Sequence, residues 1–520
     1  MKFLLEGTIT FNKNIEEAKE DIEKFIQEAN EKILVKGTQA GEEDKGASIT
    51  DYNFDENVLN LKIESGPKVR SHDGLLRLKN PLSELLGKKY HLGVRHLHIN
   101  IYQIKIPKIK YNVDLAIAKE IPQIHDFKED ENNVTIILKD IDESNIKKQV
   151  VNRVIKRVVS EKDSVGINIT DEDKDLTDTV VTKYNPGDIV EESPKFKNYF
   201  KGDVTETAKK LGWIKEFPGR GQWFYGAKIT ALQRGFEQLF IERIIEPLGF
   251  YEALFPKLIP FNTLKKMRYL EGLPEGMYYC SAPKRDPELF TKFKNELSIT
   301  HEIPIDLLKK GLKDPNYVMA AAQCEPFYEF LSHEVIDRKE LPIKLYDRSG
   351  WTYRWESGGA KGIDRVNEFQ RIEAVWLGTP EQTNEIRDKT LQMAQKLANE
   401  LELEWYTEIG DDPFYLEGRK TENRGIEFPD VPKYEMRLKI PGQDKGVSVT
   451  SVNNHGTHFI QGFSIKEAHK DKIWTGCTGF GLTRWTFGFL AQKGFDRENW
   501  PQILKDKVKE VKTPKILTWP

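Results

Sequence analysis

A series of short strand-like segments in the second half of the chain constrains the fold more than any other feature. Alternation of apolar and polar residues predicts strands at 351–357, 365–376, 433–440, 446–453 and 456–465. Helical periodicity predicts helices at 315–334 and 380–402. The strands do not alternate regularly with helices, as they would in a parallel sheet. We therefore predict an α+β fold in which helices cover an antiparallel sheet.

The 520 residues are long enough for more than one domain, and the composition changes along the chain. Residues 1–165 mix strands and helices, which predicts an N-terminal α+β domain. Residues 166–208 are polar, charged and interrupted by proline and glycine, which indicates a linker, with a long surface loop as the alternative. Residues 209–520 form the predicted second domain.

The overall charge and the cysteine content exclude several classes of protein. The chain has 79 Lys and Arg against 82 Asp and Glu, so any surface for nucleic acid must be local. No apolar run is long enough to span a membrane, and the N-terminus lacks the apolar core of a signal peptide. Three cysteines cannot form a disulfide scaffold. We predict a cytoplasmic protein that has no contact with a membrane.

One predicted hairpin carries charge on a face that could form a site. In the first strand, Arg354 and Glu356 lie opposite an aromatic face. The return strand presents a second polar set on one face: Arg365, Asn367, Phe369, Arg371 and Glu373. Arginine binds phosphate through a planar fork of donors, and a phenylalanine ring can stack on adenine. The alternative is an exposed hairpin with salt bridges.

Two further segments are weak signals on their own. The run TGCTGFGLTRWTFGFL (475–490) joins a glycine-rich strand to a helix that has Arg484 in its first turn, a pattern that suits close approach to a nucleotide. It is neither a P-loop nor a dinucleotide fingerprint. Pro256 follows a long amphipathic helix and a strand.

In this order, the three segments resemble motifs 1, 2 and 3 of class II aminoacyl-tRNA synthetases over about residues 220–500. The resemblance implies an antiparallel sheet flanked by helices, a homodimer formed through motif 1, and ATP bound with Mg²⁺. Arg354 and Arg484 are the implied catalytic residues. The implied ATP contacts are Arg354, Trp355, Glu356, Arg365, Val366, Phe369, Ser448 and Arg484.

The class II fold would bring Cys324, Glu373 and Cys477 together at the floor of the amino-acid pocket. Two thiolates and a carboxylate are suitable zinc ligands and leave a fourth position open. The alternative for each buried cysteine is a small apolar residue of the core. Cys280 matches no ligand position, and we assign it a structural role.

This set of ligands resembles the seryl-tRNA synthetases of methanogenic archaea, whose pattern fits the whole chain. The resemblance implies that zinc binds the amino group of serine. It implies that serine contacts Ala322, Arg354, Arg371, Glu373, Ser451 and Asn453. Ser448 falls where an acidic Mg²⁺ ligand is usual, so the sequence departs from the family there.

The N-terminal domain contains a basic cluster. Residues 66–110 hold ten Lys and Arg against two acidic residues, which is an electrostatic footprint for phosphates or else a solvated surface. By resemblance we expect tRNA(Ser) to bind there, with tRNA(Sec) as a second substrate. Arg77, Lys79 and Arg95 are the predicted tRNA contacts.

Two other functions remain open at this point. One is a zinc-dependent synthetase for another small amino acid such as threonine, but those enzymes use one cysteine and two histidines. The other is an inactive relative that only binds tRNA. Loss of Arg354 or Arg484 would favour it, and both residues are present.

Overall fold

A computed structural model describes residues 1–38, 46–161, 185–356, 359–410, 427–516 and 519. The chain divides into two compact units, Met1–Lys174 and Asp175–Pro520. Within the described residues, no helix is long and apolar enough to cross a membrane.

The first unit is built on a six-stranded antiparallel sheet in the order β2-β3-β1-β4-β7-β6. Its strands are β1 (Lys2–Phe11), β2 (Ala47–Asp55), β3 (Val58–Ser65), β4 (Val94–Pro107), β6 (Ile124–Glu129) and β7 (Asn133–Asp142), and β5 (Tyr111–Val113) pairs separately with β8 (Val159–Glu161). Along β1, Phe3, Leu5, Gly7 and Ile9 are buried and Leu4, Glu6 and Thr8 are more exposed, because side chains alternate between the faces of a strand.

The helices of this unit bury apolar faces against the same core. They are α1 (Lys19–Glu28), α2 (Ser71–Tyr90), α3 (Leu115–Glu120), α4 (Glu143–Lys147) and α5 (Val150–Val158). In α2, Leu75, Leu78, Leu82 and Leu86 repeat at helical spacing and are all buried.

A nine-stranded sheet organises the second unit, in the order β12-β17-β19-β24-β22-β21-β20-β9, with β18 paired to β19. Only the β12–β17 pair is parallel among its described pairings. The strands are β9 (Ile189–Glu192), β12 (Tyr251–Glu252), β17 (Ile343–Asp347), β18 (Trp351–Tyr353), β19 (Glu368–Gly378), β20 (Trp405–Ile409), β21 (Lys433–Leu438), β22 (Val447–Gly456) and β24 (Trp474–Gly481). This architecture confirms the predicted fold class.

Smaller strands complete the unit. They are β10 (Ile214–Glu216) with β11 (Trp223–Tyr225), β13 (Leu258–Pro260) and β14 (Tyr279–Cys280) on either side of β15 (Tyr317–Met319), and β16 (Val335–Ile336) with β23 (Lys466–Glu467).

Three long helices pack into the main core of this unit: α7 (Ala227–Phe240), α13 (Pro380–Glu400) and Leu482–Lys493. The other helices are α6 (Val204–Lys210), α8 (Phe261–Met267), α9 (Tyr269–Gly272), α10 (Pro287–Thr300), α11 (Ile305–Gly311), α12 (Glu325–Phe330), His458–Gly462 and Gln502–Lys505. Helix α13 begins where Thr379 and Gln382 form a capping box.

The two faces of β19 have different environments. Ile372, Ala374 and Trp376 belong to the core under the helices. Arg371 and Glu373 project from the other face and line a cavity. The alternation that predicted this strand therefore also separates its structural residues from the candidate site.

The structure differs from the sequence predictions in three segments. The predicted strand 456–465 is wrong, since His458–Gly462 is helical and Phe459 and Phe463, four residues apart, are both buried. The predicted helix 315–334 is wrong at its start, because β15 and a loop precede α12. Pro326 lies in the first turn of α12, where proline is tolerated, so the helix begins at Glu325.

The predicted linker also contains ordered structure. Strand β9 pairs with β20, and Val204 and Ala208 of α6 are buried in the main core of the second unit. Val204 and Ala208 therefore anchor the end of this polar segment in the core of the second unit. Residues 166–184 of the predicted linker, and the last four residues of the predicted N-terminal domain, lie outside the described residues.

Candidate active site

The cavity over β19, β22 and β24 brings together most of the residues predicted for the site. Those that line it are Ala322, Cys324, Arg354, Glu356, Phe369, Arg371, Glu373, Ser448, Ser451, Asn453, Cys477 and Arg484. Arg365 lines an adjoining groove, which shares Glu356, Ser448 and Arg484 with the cavity.

Two residues predicted to contact ATP lie elsewhere. Trp355 is 45% exposed and packs edge-on against Tyr278, with ring centroids 5.8 Å apart. Val366 is buried and is absent from the linings of the cavity and the groove. Their side chains therefore do not contribute to the described cavity.

Cys324, Glu373 and Cys477 form a buried cluster at one end of the cavity. One ligand atom from each residue lies within 4.8 Å of the other two. Cys324 precedes α12, Glu373 lies on β19, and Cys477 lies on β24 opposite Val375. The donor set of two sulfurs and one carboxylate suits zinc with one coordination position open.

The electrostatics of the cluster also fit a bound cation. Burial raises the pKa of the Glu373 carboxyl to about 8, although Arg371 opposes the shift with an Nη2–Oε2 distance of 2.7 Å. The hydrogen bond with Cys324, together with burial, raises the pKa of Cys477 well above its ordinary value. The hydrogen bond with Cys477 lowers the pKa of Cys324, but burial and Glu373 outweigh it. Three acidic groups in a dry pocket resist ionisation, and a divalent cation reverses that preference.

His455 and Asn453 both lie on β22, beside Cys477 of the neighbouring strand β24. His455 Nε2 is 3.5 Å from Cys477 Sγ, and Asn453 Nδ2 is 3.6 Å from it. Burial lowers the pKa of His455 to about 3, so the ring is neutral at physiological pH. The sequence analysis missed His455, although alternation along β22 places it on the same face as Asn453.

Arginine residues occupy the other end of the cavity. Arg354 donates from Nε to the carbonyl of Ala321 at 3.0 Å. Arg484, in the first turn of the helix Leu482–Lys493, donates from Nε to the carbonyl of Asp364 at 3.2 Å. Glu356 accepts a bond from Arg365 Nε at 2.7 Å. Two half-buried guanidinium groups in one cavity provide sites for an anionic ligand.

Position 448 carries a serine instead of an acidic residue, but an acidic residue lies beside it on the neighbouring strand β21. The Ser448 hydroxyl donates to the carboxylate of Glu435 on β21, and Lys433 Nζ lies 3.1 Å from Glu435 Oε2. Glu435 and Lys433 both line the cavity. The sequence analysis missed both, because their positions depend on the pairing of β21 with β22.

The three predicted tRNA contacts in the first unit have different environments. Arg77 is exposed and donates to the carbonyl of Lys36 at 2.7 Å, and Arg95 is exposed on β4. Lys79 is half-buried and lies 2.6 Å from a carboxylate oxygen of Glu143. Lys79 is therefore neutralised locally, whereas the other two present charge to solvent.

Comparison with known proteins agrees with both units. Residues 1–160 match a tRNA-binding domain, and residues 309–492 match the class II core domain of the synthetases for G, H, P, S and T. A curated relative from Methanothermobacter thermautotrophicus, named type-2 serine–tRNA ligase, is 55% identical over 522 residues, which cover 100% of this chain and 99% of the relative. The chain belongs to the type-2 serine–tRNA ligase family. This confirms the predicted family and the prediction of a ligase.

Other members of the type-2 serine–tRNA ligase family agree along the full length. The relative from Methanocaldococcus jannaschii is 51% identical over 526 residues, with 100% of this chain and 99% of the relative covered. The crystal structure of M. kandleri SerRS in complex with A. aeolicus tRNASec matches with a TM-score of 0.85 and 42% identity. That match covers 100% of this chain and 99% of the other.

Proposed function

We propose that this protein is a seryl-tRNA synthetase that activates L-serine with ATP and transfers it to the 3′ end of tRNA(Ser). The observation that carries the proposal is one cavity that holds both the Cys324–Glu373–Cys477 cluster and the pair Arg354 and Arg484. A soft metal site at one end suits an amino group, and a cationic end suits a nucleotide. The family match supports the same activity.

The first step needs no covalent protein nucleophile. The serine carboxylate attacks the α-phosphorus of ATP, an O–P bond forms, and the bond to the bridging oxygen breaks to release pyrophosphate. Arg354 and Arg484 stabilise charge on the α-phosphate, and Phe369 stacks on the adenine. The 3′-terminal ribose hydroxyl of tRNA then attacks the seryl carbonyl, and AMP leaves.

Cys324, Glu373 and Cys477 would hold a zinc ion, which would supply an open coordination position for the amino group of serine. Arg371 fixes the Glu373 carboxylate by its ion pair, and Ala322, Ser451 and Asn453 surround the side chain of serine. Glu435, Ser448 and Glu356 are the oxygen donors of the nucleotide end that would hold Mg²⁺ with ATP.

We also propose a homodimer formed through the segment around Pro256. In the single chain, Tyr251 and Leu254 are 75% and 77% exposed, and Leu258 is 56% exposed. A row of exposed large apolar side chains supports an interface between subunits. The first unit is proposed to bind tRNA(Ser), and tRNA(Sec) as a second substrate, in keeping with the tRNASec complex of the M. kandleri protein.

The experiment that tests the function is ATP–pyrophosphate exchange with serine, threonine, alanine and cysteine, on zinc-loaded and chelator-stripped protein. Exchange with serine alone, lost on stripping and restored by zinc, is the expected result. Serine exchange that ignores zinc would refute the metal site and keep the synthetase. No exchange with any of the four amino acids would leave a protein that only binds tRNA.

A further inference from the structure

We propose that Gln323 is a positioning residue, which holds Ala322 and Cys324 at the cavity through a chain of buried hydrogen bonds that ends at Lys257. The inference rests on the proposed function, in which these two neighbours contact serine and zinc. Gln323 itself does not line the cavity, so it would act through the residues on either side.

The backbone of Gln323 is in an unusual state. Its φ is +74°, in the left-handed region that favours glycine. Eleven non-glycine residues in the described part of the chain have positive φ, and Gln323 is the buried one among them, with no exposed surface. A strained backbone persists only where its surroundings determine it, and such residues concentrate at functional sites.

The side chain of Gln323 supplies that determination. Its Nε2 donates to Asp347 Oδ2 at 2.9 Å, and its Oε1 accepts from the Thr352 hydroxyl at 3.0 Å. The same Asp347 oxygen is ion-paired with Lys257 Nζ. Gln323, Asp347 and Thr352 are all fully buried. A buried polar chain with every member paired fixes one geometry, because breaking any bond leaves an unpaired group away from water.

The residues bonded in series to Gln323 connect the loop that carries Cys324 to the rest of the candidate site. Asp347 lies at the end of β17, directly opposite Glu373 on β19. Lys257 follows Pro256, in the segment that resembles motif 1. Gln323 thus fixes the distance between the strand that carries Glu373 and the loop that carries Cys324.

Bonds from the neighbouring residues define the rest of the loop. The amide of Ala322 donates to Glu325 Oε1 at 2.8 Å, and the carbonyl of Ala321 accepts from Arg354 Nε at 3.0 Å. Both bonds hold backbone atoms that precede Gln323 in the sequence. The Gln323 side chain ties the residue between Ala322 and Cys324 to Asp347 and Thr352, so its loss would leave the Cys324 thiol less firmly placed. Metal sites lose affinity when their ligands are not held by such supporting bonds.

The test compares Gln323→Gly with the wild-type protein. Glycine accepts the positive φ and removes the amide, so the variant isolates the hydrogen bonds from the backbone strain. His333→Gly is the matched control, because His333 has a φ of +64° and is exposed in the same unit. Zinc-stripped proteins are titrated with Co²⁺, and the thiolate-to-cobalt absorption is followed, with serine and ATP kinetics measured in parallel.

We expect Gln323→Gly to weaken Co²⁺ binding at least tenfold and to raise the KM for serine, with the KM for ATP unchanged. His333→Gly should match the wild type in all three. Thr352→Val, a milder change that keeps the fold if Gln323→Gly does not, should weaken Co²⁺ binding in the same direction. Adding Thr352→Val to Gln323→Gly should cost little more than Gln323→Gly alone, because both act on one chain of bonds.

Wild-type affinity for Co²⁺ in folded Gln323→Gly, or in Thr352→Val if the first does not fold, overturns the inference. Absence of thiolate-to-cobalt absorption in the wild type is a different outcome. It would refute the proposed metal centre, and the positioning role would fall with it.

Discussion

The hydroxyl of Ser448 on β22 donates a hydrogen bond to the carboxylate of Glu435 on the neighbouring strand β21. A carboxylate therefore lies in the cavity beside position 448, although a different strand carries it. Burial lowers the pKa of the Arg484 guanidinium, and the charge of Glu435 opposes that shift, so the two side chains share one local field.

We expect Glu435→Gln to raise the concentration of Mg²⁺ needed for half-maximal serine activation by about tenfold or more, because a neutral amide is a weaker Mg²⁺ ligand. A Mg²⁺ titration of ATP–pyrophosphate exchange measures this. Ser448→Ala, which keeps the carboxylate, should have a smaller effect. If Glu435 only neutralises Arg484 and Lys433, the variant will instead bind ATP more tightly with an unchanged Mg²⁺ requirement.

The three cysteines predict a clean separation in metal content. Cys324→Ser and Cys477→Ser should each lose most bound zinc, because a serine hydroxyl is a poor ligand compared with a thiolate. Cys280→Ser should retain it, since Cys280 lies outside the cluster. Metal analysis of dialysed proteins gives the answer, and zinc loss in Cys280→Ser would contradict the assignment.

The raised pKa of Glu373 predicts that the zinc-free protein becomes more stable as pH falls from 8 to 6.5. In this window the folded state holds the proton, with a pKa of about 8, and the unfolded carboxyl does not. The folded state therefore binds more protons, and the free energy of unfolding rises by up to about 1–2 kcal/mol over the window.

Thermal unfolding of wild-type protein and Glu373→Gln at pH 6.5 and 8, both without zinc, tests this. The amide variant cannot titrate, so its midpoint should vary less with pH than that of the wild type. His455 is neutral in the folded protein at both pH values, whereas its unfolded ring is about half protonated at pH 6.5, which lowers stability there. Both proteins contain His455, so this contribution cancels when their pH dependences are compared. Equal pH dependence in the two proteins would remove Glu373 as the cause.

The exposure of the basic residues predicts unequal roles in binding tRNA. Arg95→Ala should weaken binding and reduce the salt dependence of log K by about one, without changing ATP–pyrophosphate exchange. Lys79→Ala should have a smaller effect on the salt dependence, because Glu143 already neutralises Lys79. Filter binding at several salt concentrations is the measurement, with Lys13→Ala, exposed in the same unit, as the control.

The predicted interface gives a direct test of assembly. Leu254→Glu places a charge on a side chain that is 77% exposed in the single chain. We expect it to convert the proposed dimer to monomers in light scattering, because burying an unpaired charge is costly. Leu211→Glu, at a 45% exposed position at the end of α6 and outside the segment around Pro256, should leave the mass unchanged. A dimer that survives Leu254→Glu would point to another interface.

Local patterns predicted the site where one strand carries it. Phe369, Arg371 and Glu373 share a face because side chains alternate, and alternation is visible in the sequence. The three-residue metal cluster needed the class II resemblance, since its members come from three separate segments. Glu435 and Gln323 had no local signal, because their roles depend on a strand pairing and on a backbone torsion.

The errors in secondary structure have the same origin. The run 456–465 alternates well enough to predict a strand, but packing of Phe459 and Phe463 into one core stabilises a helix. The polar segment before residue 208 contains few apolar residues, and tertiary contacts of Val204 and Ala208 decide its structure. Short segments are governed by what they pack against, which a single sequence does not reveal.

Strand β19 has a consequence for how the family can change over time. Its outward side chains repeat about every 6.7 Å, so Phe369 and Glu373 stand roughly 13 Å apart along the strand. The spacing of residues along the strand therefore sets the distance between the proposed adenine contact and the proposed metal ligand. Inserting one residue between Phe369 and Glu373 would lengthen that distance and turn every later side chain of the strand to the opposite face. Insertions and deletions in relatives should therefore fall in the hairpin loop before the strand, and not between the positions of Phe369 and Glu373.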